Sequence, residues 1–278
     1  MTPSGEGRLQ RDGADIHYVE WKAEHEAPPP ILLLHGLSSN ARYWDRVASH
    51  LSHRRLVALD LAPLTPERAT MAELFRDITY AIEHLRLDRP VVAGHSWGAG
   101  LALEFVASHP GLVSGLVFID GPIDGVARIF TWEEVEAFMQ PPFQRYRDLD
   151  AAAADSRRHL QGAWGDDLLP FVEGGLRRDG DALVSTLRPD VRHRILRDLH
   201  DSDPQKLWPQ LKVPAAALIA RKNDARISRS TDEGLGRVAE IAPSLAIKRF
   251  ETPHDIPLYA PAEVAQEIEV VARSTIWV

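Results

Sequence analysis

The chain has 278 residues, of which 44 % are hydrophobic and 26 % are charged, and it carries a net charge of −8 with no cysteine. This composition suits a globular protein with a sizeable core, and the lack of cysteine excludes disulfides and thiolate metal sites. A negative chain without a basic stripe argues against nucleic acid as a partner.

Short apolar runs alternate with helical patterns over most of the length, which favours a mostly parallel sheet covered by helices on both sides. The dipeptide Asp12-Gly13 is a strong hairpin signal, and Thr70 with Glu73 has the spacing of a capping box. In chain order the sequence predicts a hairpin at 8–21, strands at 31–35 and 56–60, a helix at 70–85, a strand at 91–95, a helix at 97–108, strands at 116–120, 215–220 and 245–250, and a helix at 261–272.

Residues 122–212 interrupt this alternation, because they show helical patterning, many aromatic residues and no convincing buried strand. A loop of that length without structure is improbable in a compact domain, so we expect a helical insertion between two strands of the sheet. The arginine pairs 157–158 and 177–178 are interpreted as solvated faces of its helices.

The most specific motif is Gly94-His95-Ser96-Trp97-Gly98, which joins the predicted strand 91–95 to the predicted helix 97–108. A G-x-S-x-G pentapeptide in that context is typical of a strained turn that raises a serine Oγ above the carboxyl edge of a sheet. Ser96 is therefore the candidate nucleophile.

A serine hydroxyl is a weak nucleophile unless a base removes its proton. When the motif lies on such a turn, the partners follow in the order Ser, acid, His. His254 is the one histidine beyond residue 200, and it lies in a proline-rich loop before the last predicted helix. His254 is therefore the candidate base.

The imidazole needs a carboxylate to hold its tautomer and to stabilise the cation formed during attack. Asp224 follows the predicted strand 215–220 and is the preferred candidate. Asp120, at the end of the predicted strand 116–120, and Asp124, shortly after it, remain alternatives.

Two backbone N–H groups are candidates for an oxyanion hole, which must present donors to the tetrahedral intermediate. Trp97 follows the nucleophile, and Leu37 lies in the loop after the predicted strand 31–35. His35, at the start of that loop, is interpreted as a hydrogen bonder that holds the loop rather than as a base. No metal site is predicted, because no third ligand accompanies the histidine pair 50 and 53.

Four stretches of the chain, ILLLHGLSSNARYWD, GHSWGAG, VPAAALIARKND and TPHDIPLYAPAEVA, resemble landmarks of the α/β-hydrolase superfamily, especially its capped, esterase-like branch. The resemblance implies an α/β-hydrolase fold whose central, mostly parallel sheet has eight strands. It also implies the core at 1–121 and 213–278, a helical cap at 122–212, a catalytic set of Ser96, Asp224 and His254, and an oxyanion hole of Leu37 and Trp97. Two departures are the loop DLAPLTPERAT after the strand 56–60, where relatives carry a glycine-rich turn, and Arg221 in a position where glycine is usual.

We therefore expect a serine hydrolase that cleaves an ester of a small, hydrophobic substrate through an acyl-enzyme, without cofactor or metal. The same groups can hydrolyse lactones, amides or carbon–carbon bonds, and a ligand receptor of the same fold is an alternative from another class. The sequence has no apolar stretch long enough to span a bilayer, so we expect a cytoplasmic protein with no membrane partner. Its oligomeric state is not determined by the sequence.

Overall fold

The computed structural model describes residues 2–61, 65–140 and 143–275, and its centre is a sheet of eight strands. The strands of the described residues, in chain order, are β1 Gly5–Arg11, β2 Ala14–Trp21, β3 Ala27–Leu34, β4 Arg54–Leu59, β5 Val91–His95, β6 Gly115–Ile119, β7 Arg145–Tyr146, β8 Leu176–Asp179, β9 Ala182–Ser185, β10 Ala215–Ala220 and β11 Ala246–Phe250. The α-helices are α1 Asp45–Ala48, α2 Met71–His84, α3 Trp97–Ser108, α4 Trp132–Met139, α5 Leu149–His159, α6 Leu169–Gly174, α7 Pro189–Asp201, α8 Ala225–Ile241, α9 Ile256–Tyr259 and α10 Pro261–Ser274.

The central sheet has the order β1-β2-β4-β3-β5-β6-β10-β11, and it is parallel from β4 to β11. The antiparallel pairs of this sheet are β1 with β2 and β2 with β4. Asp12 and Gly13 both have positive φ angles, 52° and 77°, as the predicted two-residue hairpin turn requires. The predicted fold class, a mostly parallel eight-stranded sheet flanked by helices, is confirmed.

Two hydrophobic clusters lie on opposite faces of this sheet because successive side chains of a strand point to opposite sides. On β3, Leu32 and Leu34 belong to the cluster beneath α2, α3 and α8, whereas Ile31 and Leu33 belong to the cluster beneath α1 and α10. Burial on both faces explains why this strand is an uninterrupted apolar run.

Only one of the two hydrogen bonds of the predicted capping box forms at the start of α2. The Thr70 side chain accepts a hydrogen bond from the backbone N–H of Glu73 at 3.3 Å, as predicted. The carboxylate of Glu73 instead accepts from the Arg11 guanidinium at 2.7 Å, so a contact across the fold replaces the reciprocal bond of the capping box.

The chain between β6 and β10 is an insertion in the topological sense, because these two strands are neighbours in the sheet. It contains the helices α4 to α7, as a helical insertion requires, but it also contains strands that the sequence did not indicate. The strands β7, β9 and β8 form a separate antiparallel sheet, and Arg177 and Arg178 lie on β8 rather than on a helix. That 122–212 acts as a cap domain stays a prediction.

Among the residues that the structure describes, no helix is both long and apolar enough to cross a membrane. The loop after Asp60, which departs from the family pattern in the sequence, includes residues 62–64, and these lie outside the described residues.

Candidate active site

Ser96 lies on a strained turn between β5 and α3. Its φ and ψ angles are 56° and −122°, a region that side-chain-bearing residues rarely occupy. Its backbone N–H donates to the carbonyl of Ile119 on the neighbouring strand at 2.8 Å. The predicted bounds of β5 and α3 are confirmed, and the turn lies at the carboxyl edge of the parallel sheet, where open α/β sheets bind ligands.

The glycines on either side of Ser96 are required by close approach of the backbone. A Cβ atom on Gly94 would lie 2.2 Å from the carbonyl oxygen of Gly98. A Cβ on Gly98 would lie 2.3 Å from the carbonyl oxygen of His35, the residue that follows β3. The turn can therefore pack against the sheet only with glycine at both positions.

His254 reaches Ser96 from the loop between β11 and α9. Its Nε2 lies 2.9 Å from Ser96 Oγ, so the serine hydroxyl can donate to the ring. Its Nδ1 lies 2.5 Å from Asp120 Oδ2. The structure thus brings the predicted nucleophile and the predicted base into direct contact, with a carboxylate behind them.

Asp120 is held in place from three directions in the turn after β6. Its side chain is only 1 % exposed, whereas that of His254 is 51 % exposed. The oxygen that does not face His254 accepts from the backbone N–H of Ala220 at 2.8 Å and from the Lys222 ammonium group. Both carboxylate oxygens therefore have hydrogen-bond partners.

These contacts keep Asp120 ionised. Burial by itself would raise the pKa of Asp120, but the hydrogen bond to His254 and the positive charge of Lys222 outweigh burial and lower the pKa below its ordinary value. A permanently negative group at Nδ1 holds the proton on that nitrogen and leaves Nε2 free to accept one.

The preference for Asp224 over Asp120 as the carboxylate partner of His254 is wrong, because the structure places the Asp224 carboxylate elsewhere. The Asp224 carboxylate caps α8, where it accepts from the backbone N–H groups of Arg226 at 2.8 Å and Ile227 at 3.1 Å. Of the two alternatives, Asp124 pairs instead with Arg237, so Asp120 is the carboxylate on the ring of His254. The sequence did contain a feature that argued against Asp224 and so in favour of Asp120. This feature is Arg221, which replaces the glycine usual in the turn before Asp224.

The loop that carries His254 is anchored by residues that the sequence reasoning missed. His95 is buried, and its Nε2–H donates to the backbone carbonyl of His254 at 3.0 Å. Burial, together with the nearby His254, lowers the pKa of His95 to about 3, so its ring is neutral. Tyr43 stacks on His95 and donates to Asp255 at 3.1 Å, which ties the residue next to His254 to the core.

Both predicted oxyanion donors belong to segments that adjoin Ser96. Trp97 is the first residue of α3, where helical geometry leaves the N–H without an acceptor in the helix. Leu37 follows Gly36, on which a Cβ would lie 3.1 Å from Ser96 Cβ. His35 fixes this loop, since its Nδ1–H donates to the Gly36 carbonyl at 2.7 Å and its Nε2 accepts from the N–H of Leu61 at 2.8 Å.

A cavity of about 550 Å³ opens over the Ser96–His254 pair. We call it the first cavity. Its wall contains Ser96 and His254 together with residues of the insertion, and most of the side chains that the insertion contributes are apolar. They include Ile123, Val126, Ile129, Phe130, Met139 and Leu199. Within the described part of the chain, no group of three or more His, Asp or Glu side chains could hold a metal ion.

Comparison with known families supports the class of protein that this fold and turn define. The model of the α/β-hydrolase fold family matches residues 29–186, which is more than half of the chain. The chain belongs to the α/β-hydrolase fold family.

Among curated proteins, Lipase LipV of Mycobacterium tuberculosis is 31 % identical over 270 residues, which span 91 % of this chain and 96 % of the lipase. Epoxide hydrolase 3 of Mus musculus is 33 % identical over 122 residues, or 41 % of this chain. The matched segment covers about a third of the length of this epoxide hydrolase, and two further relatives are also matched over about a third of their length. The relatives include proteins named as a lipase, epoxide hydrolases and a proline iminopeptidase.

Solved structures agree on the fold. The structure of E-2-(acetamidomethylene)succinate hydrolase superimposes with a TM-score of 0.80 at 19 % identity, covering 96 % of this chain and 98 % of the other. A thioesterase domain from the curacin biosynthetic pathway has a TM-score of 0.77 at 18 % identity, covering 95 % of this chain and 99 % of that domain. At these identities the likeness concerns the fold alone.

Proposed function

We propose that this protein is a serine hydrolase that cleaves a carboxylic ester through an acyl-enzyme, with Ser96 as nucleophile, His254 as base and Asp120 as orienting acid. The observation that carries the proposal is the continuous hydrogen-bond chain from Ser96 Oγ through both nitrogens of His254 to a buried carboxylate. Each contact matches a role that two-step acyl transfer requires.

The reaction follows from this geometry. Ser96 Oγ attacks the ester carbonyl carbon while His254 Nε2 takes the hydroxyl proton, and the N–H groups of Leu37 and Trp97 stabilise the negative oxygen. The carbon–oxygen bond to the alcohol then breaks, and His254 gives its proton to the departing alcohol. Water repeats the sequence on the acyl-enzyme and releases the acid and free Ser96.

A serine at position 96 argues against epoxide hydrolysis, although some relatives carry that name. Attack of a serine on an epoxide would form an ether, which has no carbonyl for water to attack. Ester cleavage is also supported by the relative named as a lipase, whose match covers 91 % of this chain. The apolar wall of the first cavity favours a hydrophobic arm on the ester.

The test is covalent labelling by a fluorophosphonate, combined with the time course of 4-nitrophenyl ester cleavage. Ser96→Ala should abolish labelling and lower kcat by about 10³-fold or more. Ser108→Ala, at the far end of α3, is the matched control and should retain both. Labelling without turnover would support a receptor, and turnover confined to lactones, amides or diketones would replace the ester assignment.

A further inference from the structure

A second cavity has a volume of about 370 Å³ and is bordered by the loop 36–38, which we call the oxyanion loop. Leu37 and Ser38 of this loop line it, together with side chains from the insertion such as Tyr146 and Arg192. Of the described residues that line it, Arg192 alone carries a charge.

Arg192 lies on α7 and is held by neutral groups. Its Nε donates to the carbonyl of Met139 at 2.7 Å, and one terminal nitrogen donates to Ser38 Oγ. Within the described residues no carboxylate lies within ion-pair distance of it. Of its neighbours on the helix, Asp190 pairs with Arg188, and His193 Nε2 lies 2.8 Å from the carboxylate of Glu136.

The Arg192 side chain is partly buried and has no charged partner among the described residues. Burial lowers the pKa of Arg192, and no neighbouring charge offsets that effect. Placing a charge away from water is unfavourable unless an opposite charge accompanies it. The guanidinium has five N–H donors in a planar fork that fits a carboxylate, and two neutral contacts leave donors free.

The position of Arg192 connects this site to the reacting serine. Ser38, which accepts from Arg192, is two residues from Gly36, and Gly36 packs against Ser96. Consecutive Cα atoms are about 3.8 Å apart, so Ser38 lies within about 8 Å of Gly36 along the backbone. Met139, whose carbonyl accepts from Arg192, lines the first cavity.

We propose that Arg192 binds a carboxylate on one arm of the substrate, so that the ester carries a hydrophobic arm in the first cavity and an anionic arm in the second. This inference rests on the proposed ester hydrolase function. One cation fits one negative charge, whereas a phosphate monoester carries more charge than Arg192 can balance. The anionic arm extends past the oxyanion loop, and the fork of Arg192 receives it with paired, charge-assisted hydrogen bonds.

The experiment compares matched pairs of esters. The first series sets 4-nitrophenyl monoesters of adipic, suberic and sebacic acids against 4-nitrophenyl hexanoate, octanoate and decanoate. The second carries the anion on the alcohol, as acetyl esters of ω-hydroxy acids against acetyl esters of the corresponding alcohols. In the wild type the charged member should have the higher kcat/KM at one length at least, and high salt should reduce the difference.

Arg192→Met should lower the ratio of kcat/KM for the preferred charged ester to kcat/KM for its neutral partner by about ten- to a hundredfold. Loss of the contacts to Ser38 and Met139 affects both esters alike and cancels in this ratio. Arg192→Lys, which keeps the charge but loses the fork, should give a ratio between those of the wild type and Arg192→Met. Arg194→Met is the control on the same helix, because Arg194 pairs with Asp198 and lines neither cavity. Its preference should equal that of the wild type.

The inference is overturned if, in both series, the kcat/KM of the wild type for every charged ester is equal to or lower than that for its neutral partner. This outcome concerns the wild-type protein alone, so it does not depend on the folding of a variant. A loss in Arg192→Met that is the same for charged and neutral esters would also overturn it, since that result indicates a structural role. Failure of the proposed function is distinguishable, because then no ester of either kind would be turned over.

Discussion

Replacing Asp120 by asparagine is the sharpest test of the catalytic arrangement. The asparagine has nearly the same shape as the aspartate, but it removes the negative charge that faces His254 Nδ1 at 2.5 Å. An amide group can also present an N–H to the ring, which would favour the tautomer with its proton on Nε2. In that tautomer the ring cannot accept the proton of Ser96.

The magnitude follows from the burial of the pair. Asp120 is 1 % exposed and His254 is half exposed, so an intermediate effective dielectric applies. For charges about 4 Å apart at an effective dielectric of about 20, the attraction between carboxylate and imidazolium is about 4 kcal/mol. That energy corresponds to about three powers of ten in rate, and the wrong tautomer adds to the loss. We therefore expect kcat to fall by about 10³- to 10⁴-fold.

The assay is steady-state cleavage of a 4-nitrophenyl ester, with thermal unfolding followed by circular dichroism to establish that the variant is folded. Asp224→Asn is the matched control, because asparagine caps a helix as well as aspartate does and α8 should be preserved. Its kcat should stay within about twofold of the wild type, since Asp224 contacts the amides of α8. The assignment of Asp120 is refuted if a folded Asp120→Asn enzyme keeps more than about a tenth of its activity while Asp224→Asn loses most of it.

Two further predictions concern stability. Gly98→Ala should lower the free energy of unfolding in urea by about 1–3 kcal/mol, because the new methyl group meets the carbonyl of His35. Gly236→Ala is the control, because a Cβ there has open space in α8, and it should be neutral or stabilising. Equal effects of the two substitutions would contradict the explanation by close approach of the backbone. Burial alone would raise the pKa of Glu269, but hydrogen bonds from Arg54 and Arg273 and the charge of the buried Arg54 lower it to about 2. This carboxylate therefore stabilises the fold fully above its unfolded pKa, about 4.3, and loses that contribution as the pH falls towards 2. At pH 7 the free energy of unfolding of Glu269→Gln should be about 2 kcal/mol below that of the wild type, after allowance for solvent screening. This difference should become smaller below about pH 4.5. A difference that does not change with pH would exclude the ion pair as its source.

Several features were predictable from the sequence because they depend on local patterns. The hairpin at Asp12-Gly13, the strand and helix around Ser96, and the apolar runs of the sheet each follow from backbone conformations or burial that a short segment specifies. His254 was predictable because the order of partners along the chain leaves one histidine in the required position. In the structure it lies 2.9 Å from Ser96.

The small sheet of the insertion was not predictable in this way. Its strand β7 has two residues, and β8 has the sequence LRRD, which shows no apolar alternation. The strand β7 forms only because β9, which is distant in the chain, supplies its hydrogen bonds. The strand β8 pairs with β9 in a local hairpin, but its charged sequence does not show the pattern of a strand. The isolated charge of Arg192 likewise exists only because α7 packs against the oxyanion loop.

The sequence by itself therefore determined the type of sheet, the raised serine and the histidine that meets it. Only the tertiary structure decided which carboxylate completes the group. Asp120 and Asp224 follow the neighbouring parallel strands β6 and β10, so both emerge at the same edge of the sheet. The path of the His254 loop and the competing amides at the start of α8 decide between them, and both depend on contacts between segments far apart in the chain.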